Sequence, residues 1–298
     1  MTSFRSAMQL WVRALRLHQW LKNLLIFVPL LVSHRLAMSG LLITGIVAFI
    51  LFSMCASSSY LFNDLLDLRS DRRHPSKRER PLAAGVISIK AAVLALLILL
   101  VCAFVGALVW LPWRFTGAMA IYYVVTVTYS VWLKRLVIID VVTLAMLYTL
   151  RIIAGTLLFG LVMTFWMLAF SMFIFLSLAL VKRYAELCDS RHKGNADRAN
   201  GRGYKPNDLN MISSLGAASG YLSVMVLALY IQDPNTAALY QNPRLIWMAC
   251  PLLLYWISRT WMLTHRGEMH DDPVVFAIRD RVSLAVGILF GLVFWLAV

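Results

Sequence analysis

Residues 40–71 read Gly40-LLITGIVAFILFSMCASSSYLFNDLLDLRS-Asp71. The stretch opens with more than twenty predominantly apolar residues and closes on a run of acids. A membrane-spanning helix needs about 20 such residues, so 40–62 is expected to cross a bilayer and to deliver its acidic end to water. The rest of the chain has the same character. Its 298 residues are 61% hydrophobic and only 14% charged, with a mean hydropathy of +0.75. An ordinary soluble domain carries about 25% charged residues. This composition excludes a soluble enzyme, a disordered chain and a fibrous protein. An all-α, polytopic membrane bundle is expected, as a single domain over 1–298.

Outward from 40–62, eight further runs reach spanning length: 20–38, 89–111, 115–132, 138–160, 163–181, 210–231, 244–263 and 282–298, for nine transmembrane helices in all. Basic residues precede run 20–38 as in a signal peptide, but no clear A-x-A site follows, so a retained helix is expected. Lys and Arg fall almost entirely on one side of this arrangement. Twenty-three lie in 1–22, 63–90, 133–137, 182–209 and 264–281; only Arg35, Arg114 and Arg244 lie in the opposite loops. The asymmetry places the N-terminus and both long loops in the cytoplasm, in a bacterial inner membrane. It also gives the net charge of +14 a use other than nucleic-acid binding. Gly216 and Gly220 form a G-x-x-x-G that reads as close helix packing.

Acids are scarce in such a chain, so their positions are informative. Asp64, Asp67 and Asp71 are spaced by three and four residues and would share one helical face, with Asn63 and Tyr60 on the preceding turns. The helix dipole is negative at that end and like charges repel, so a cation must compensate. Two sources are available. One is the adjacent Arg69, Arg72, Arg73, Lys77, Arg78 and Arg80. The other is a hard divalent cation such as Mg²⁺, which takes carboxylate and amide oxygens and bridges to phosphates. A second polar cluster, Lys182-Arg183-Tyr184-Ala-Glu186-Leu-Cys-Asp189, puts Lys182, Glu186 and Asp189 on one face; alone it reads as a charged helix end. The following 190–210, with its glycines and Pro206, reads as a loop that could cover a site. Within run 138–160, Asp140 and Arg151 face the same way about 16 Å apart. Arg151 is expected to face the bundle interior or a polar cavity. The four cysteines form no C-x-x-C and the six histidines no H-E-x-x-H, so neither a disulfide framework nor a histidine metal site is expected.

Asn63-Asp64-x-x-Asp67-x-x-x-Asp71 resembles the first Asp-rich motif of the UbiA-type intramembrane prenyltransferase superfamily. The longer string through Arg72, His74-Pro75, Lys77-Arg78, Arg80-Pro81 and Gly85 is similar to its decaprenyl-phosphate phosphoribosyltransferase branch. Gln19-Trp20-x-Lys22-Asn23, Lys182-Arg183-Tyr184-Ala-Glu186-Leu187 and Arg279-Asp280-Arg281 extend the resemblance along nearly the whole chain. One departure stands out. The second Asp-rich motif of typical members is replaced by the mixed-charge Lys182–Asp189 segment, which implies fewer metal ions and more cationic contacts.

The resemblance implies a UbiA-like fold, Mg²⁺ as cofactor, a soluble diphosphate donor and a lipid-linked phosphate acceptor. It implies metal ligation by Asn63, Asp64 and Asp67, with Asp64, Asp67 and Asp71 catalytic. Substrate contacts would come from Lys22, Tyr60, Lys77, Arg78, Lys134, Lys182, Arg183 and Glu186. The expected reaction moves a 5-phosphoribosyl group from phosphoribosyl diphosphate to a polyprenyl phosphate. Prenyl transfer to an aromatic acceptor such as 4-hydroxybenzoate is the alternative. A transporter is a third possibility, but no internal repeat is evident and the polar clusters lie at one face instead of the midplane.

Overall fold

The computed structural model describes residues 2–33, 39–73, 77–192, 203–233, 240–269 and 272–298, and among them all regular structure is helical. Helix α1 (Thr2–Ala14) leads into a 3₁₀ segment, Leu17–Phe27, that continues as α2 (Val28–Val32). Then come α3 (Ser39–Leu66), α4 (Leu68–Asp71), α5 (Ile89–Trp110), α6 (Trp113–Val131), α7 (Ile139–Leu158) and α8 (Phe165–His192). The last four are α9 (Leu209–Gln232), α10 (Ala249–His265), α11 (Pro273–Arg279) and α12 (Arg281–Ala297).

Among the described residues, five helical segments are long and apolar enough to cross a membrane: Gly40–Leu66, Ile89–Trp110, Ile139–Leu158, Phe165–Asp189 and Pro206–Gln232. The pair α11–α12, bent by 81°, makes a sixth if counted as one span. The chain is thus an integral membrane protein. The three remaining expected runs take shorter or more polar forms. Run 20–38 becomes the apolar segment Leu17–Val32, and its last residues, with Arg35, lie outside the described residues. Its 3₁₀ winding rises about 2.0 Å per residue against 1.5 Å for an α-helix. Run 115–132 becomes the 19-residue α6, whose Thr116, Tyr122, Tyr123, Thr126 and Thr128 dilute its apolar character. Run 244–263 is split between a 3₁₀ turn, Pro243–Met248, and the 17-residue α10.

Contacts cluster into two compact units: Met1–Lys134 with Leu150–Val162, and Arg135–Thr149 with Met163–Val298. Helix α7 contributes to both. In the first unit α3 is the central element. Phe52 packs on Phe115 and Tyr122, and Leu61 joins a cluster with Ala14, Leu82, Ile87, Ala92 and Leu96. Small hydroxyl residues let neighbouring backbone come close to α3. Ser57 accepts from Trp20 Nε1 at 2.9 Å and donates to the Leu15 carbonyl at 2.9 Å; Ser53 accepts from Asn23 Nδ2 at 2.8 Å. These bonds strap the 3₁₀ segment to α3. In a medium without water, such internal pairing is what permits polar groups at all.

In the second unit the G-x-x-x-G face of α9 packs closely against α10 and α8. A Cβ at Gly216 would lie 2.0 Å from the Trp261 ring, and one at Gly220 2.6 Å from Ile257 Cγ2. Ser177 donates to the Gly216 carbonyl at 2.7 Å and accepts from Trp261 Nε1 at 3.1 Å. In the first unit a Cβ at Gly155 would meet the Ile26 carbonyl oxygen at 2.0 Å.

Gly155→Ala and Gly216→Ala are each expected to cost about 1–3 kcal/mol through overpacking. Gly117→Ala is the control, since a Cβ there meets nothing within 4 Å; it should be neutral or stabilising by up to about 1 kcal/mol. Thermal melting in one detergent checks the set.

Candidate active site

The acidic stripe forms where α3 ends. The helix stops at Leu66, Asp67 takes φ −87° and ψ 3°, and α4 restarts at Leu68. This offset divides the acids. Asp64 and Asp71 turn to one side and converge on Arg80, whose Nη1 lies 3.2 Å from Asp64 Oδ1 and 2.6 Å from Asp71 Oδ2. Arg16 Nη2 adds a second contact to Asp64 Oδ1 at 2.5 Å, and its guanidinium lies 5.3 Å from the centre of the Tyr60 ring. Asp67 turns elsewhere. Lys134 Nζ lies 2.8 Å from both of its carboxylate oxygens and 3.2 Å from Asn63 Oδ1. The expected single face is therefore two pairs, Asp64 with Asp71 and Asn63 with Asp67. Among the described residues no three His, Cys, Asp or Glu side chains converge as a metal set.

Asp64 and Asp71 are buried, and Asp67 is half-buried at 31% side-chain exposure. Desolvated carboxylates at a negative helix end need charge-assisted partners, and Arg16, Arg80 and Lys134 supply them. Arg16 meets its partner from a left-handed backbone, φ 52° and ψ 48°, a conformation a non-glycine residue holds at some cost. Of the other bases after the stripe, Arg72 Nε donates to the Ala83 carbonyl at 3.3 Å, Arg78 is exposed and Lys77 half-buried. His74 and Pro75 lie outside the described residues.

Lys22 is buried in the 3₁₀ segment beside Asn23. Arg151, 4% exposed, donates from Nε to Asn23 Oδ1 and from Nη2 to Tyr122 OH, both at 2.9 Å. Its guanidinium sits 4.7 Å from the Tyr122 ring centre and 5.8 Å from that of Phe52. The cation thus sits in an interior polar network.

The second unit carries its own cluster. Arg183 is fully buried and contacts Asp140 Oδ2 through Nη2 at 2.7 Å, and also pairs with Glu186. Tyr204 OH donates to Asp140 Oδ1 at 2.5 Å and accepts from the Ile138 amide at 2.9 Å. Burial, then the bond to Asp140, pushes the Tyr204 phenol well above its ordinary range. Tyr204 belongs to the expected loop 190–210, of which 193–202 lie outside the described residues. Lys182 Nζ contacts Asp272 Oδ2 at 3.1 Å, and Tyr148 OH donates to Asp272 Oδ1 at 3.2 Å. Asp272 also caps α11 by accepting from the Val274 amide.

Residues 24–284 match the UbiA prenyltransferase family. The chain belongs to that family. Membership makes it a transferase. Its relatives include an uncharacterized protein, y4nM, from Sinorhizobium fredii, 38% identical over 291 residues; the match covers 96% of this chain but only 55% of that protein. Nodulation protein NoeC of Azorhizobium caulinodans is 37% identical, covering 95% of this chain and 92% of its own. Decaprenyl-phosphate phosphoribosyltransferase of Mycobacterium tuberculosis is 29% identical, covering 91% and 88%. Among solved structures, a UbiA homolog from Archaeoglobus fulgidus bound to GPP and Mg²⁺ shares the fold, with a TM-score of 0.70 at 17% identity and coverage of 97% and 100%.

Within this UbiA-family chain, sequence reasoning passed over Arg16, Tyr148, Tyr204 and Asp272. Arg16 lies 48 positions from Asp64 and gives no local signal. Asp272-Pro273 could have been found, because Asp before Pro is a helix-start signature.

Removing one partner of a buried ion pair costs about 3–5 kcal/mol. Arg183→Leu should therefore lower the unfolding free energy by about that amount, while exposed Arg78→Ala should stay within about 0.5 kcal/mol. Denaturant titration in detergent micelles reads both.

Proposed function

We propose that this chain transfers a 5-phosphoribosyl group from phosphoribosyl diphosphate to a decaprenyl-like polyprenyl phosphate, with Mg²⁺, at the cytoplasmic face of the membrane. The observation that carries the chemistry is the convergence of Asn63 Oδ1 and both Asp67 oxygens on one positive atom, Lys134 Nζ. An all-oxygen set around a single cationic point suits a hard ion that keeps waters and bridges to phosphate. The residues therefore fit Mg²⁺, with Asn63 and Asp67 as ligands and Asp64 braced alongside by Arg16 and Arg80. When bound, Mg²⁺ supplies charge neutralisation to a departing diphosphate. The choice of donor and acceptor is supported by the relative named decaprenyl-phosphate phosphoribosyltransferase.

The chain's own residues have defined tasks in this reading. Asn63 and Asp67 fix the metal end of the donor. Lys22, Tyr60, Lys77, Arg78 and Lys134 position its phosphates, and Asp71 holds Arg80 in place. Lys182, steadied by Asp272 and Tyr148, takes the acceptor phosphate together with the Glu186 segment. Arg183 acts through Asp140 and Glu186 and is a positioning residue. The bond from the anomeric carbon to the diphosphate oxygen breaks, and one from that carbon to a lipid phosphate oxygen forms. The transition state is oxocarbenium-like. The attacking oxygen is already anionic, so positioning and charge neutralisation suffice without a strong base.

The same reading takes 1–298 as one domain with nine membrane crossings. Its N-terminus is cytoplasmic in a bacterial inner membrane, as the twenty-three to three distribution of Lys and Arg supports. A second reading, prenyl transfer to an aromatic acceptor, is favoured by the fold neighbour bound to GPP and Mg²⁺.

The purified full chain, given Mg²⁺, a polyprenyl phosphate pool and labelled phosphoribosyl diphosphate, should move label into the organic phase. EDTA should abolish transfer, and Asp67→Asn should lower kcat by roughly 10²-fold or more while the protein stays folded. Near-normal turnover by folded Asp67→Asn contradicts the assignment. No transfer by the wild type, with turnover of prenyl diphosphate and 4-hydroxybenzoate instead, selects the second reading.

A further inference from the structure

The cations that neutralise the acidic helix end occupy positions that a metal would need. Lys134 Nζ is within 2.8 Å of both Asp67 oxygens and 3.2 Å of Asn63 Oδ1. A divalent ion cannot take those oxygens while the ammonium stays on them, because their repulsion at such a distance is large in a partly desolvated site. The lysine is suited to leave. It lies in the short 3₁₀ turn Leu133–Arg135 just beyond α6, on a flexible four-carbon stem with a compact charge that water solvates strongly. Its side chain is 15% exposed and that of Asp67 31%, so water reaches the pair. Arg80 differs, because two carboxylates hold it at once.

Among the ion pairs described at this helix end the charges balance. Three carboxylates, Asp64, Asp67 and Asp71, face three cations, Arg16, Arg80 and Lys134. A divalent ion entering alone leaves this group with two excess positive charges. A diphosphate entering with it removes that excess and gives the displaced ammonium new oxygens to bind. We propose that Lys134 is an exchangeable internal counter-ion: it holds Asn63 and Asp67 closed to metal until a diphosphate arrives, then passes from the carboxylate to the diphosphate. This rests on the metal-diphosphate reading of the site. It adds that metal and diphosphate bind cooperatively and that Lys134 is the residue coupling them.

The test uses the full chain in detergent, Mn²⁺ as probe followed by electron paramagnetic resonance, and inorganic pyrophosphate. For the wild type, pyrophosphate should tighten Mn²⁺ binding at least about tenfold, within the usual range of coupling between sites. In Lys134→Met and Lys134→Gln, Mn²⁺ alone should bind about tenfold tighter than in the wild type, and the gain from pyrophosphate should shrink. Folded variants whose Mn²⁺ affinity is unchanged or weaker overturn the exchange. So does a wild type that binds Mn²⁺ equally well with and without pyrophosphate, a result that needs no variant to fold. A wild type that binds no Mn²⁺ even with pyrophosphate removes the metal-diphosphate reading itself, and the exchange with it.

Discussion

Carboxylates at the C-terminal end of an apolar helix are the constraint from which the functional half of this molecule follows. The helix end is electrostatically negative, and the acids repel one another there. α3 nevertheless carries Asp64 in its last turn before Leu66, and Asp67 and Asp71 follow directly after it. The fold answers with cations drawn from three separate places: Arg16 after α1, Arg80 in the loop before α5, and Lys134 after α6. Each of these segments must therefore return to the same helix end. The serine-lined strap between the 3₁₀ segment and α3 brings the first of them there, and the Leu61–Leu82–Ile87 cluster brings the second.

Much of this was legible in the sequence, and the rest was hidden for a definable reason. Apolar run length exposed the helices, and the paucity of acids made Asn63–Asp71 conspicuous. The need for a compensating cation also followed from spacing alone. Its source followed in part. Arg80, one of the adjacent bases, pairs with Asp64 and Asp71, but the partner of Asp67 lies 67 positions away and the second partner of Asp64 lies 48 away. Spacings of three and four likewise suggested one face for all three acids, because nothing local announces that the helix breaks at Asp67. An apolar count also does not show the form a run takes. Leu17–Phe27 winds as a 3₁₀ helix before Val28–Val32 turns α-helical, and 244–263 is split between a 3₁₀ turn and a 17-residue α-helix.

The second unit shows the opposite use of charge. Arg183, Asp140 and Tyr204 are buried together, and Arg183 pairs with both Asp140 and Glu186. A lysine one residue earlier, Lys182, keeps part of its surface and is steadied from behind by Asp272 and Tyr148. Adjacent basic residues that look alike in sequence thus divide into a fully buried one and a partly exposed one. The division is set by helical phase: one side of α8 is inside the unit and the other is not.

The most direct measurement is anomalous diffraction from crystals grown with Mn²⁺ and pyrophosphate. A manganese peak bonded to Asp67 and Asn63, at about 2.0–2.2 Å as expected for a small divalent ion on oxygen, with Lys134 Nζ moved onto pyrophosphate, is the predicted result. Manganese bound elsewhere, with Lys134 still on Asp67, would contradict both the site and its counter-ion.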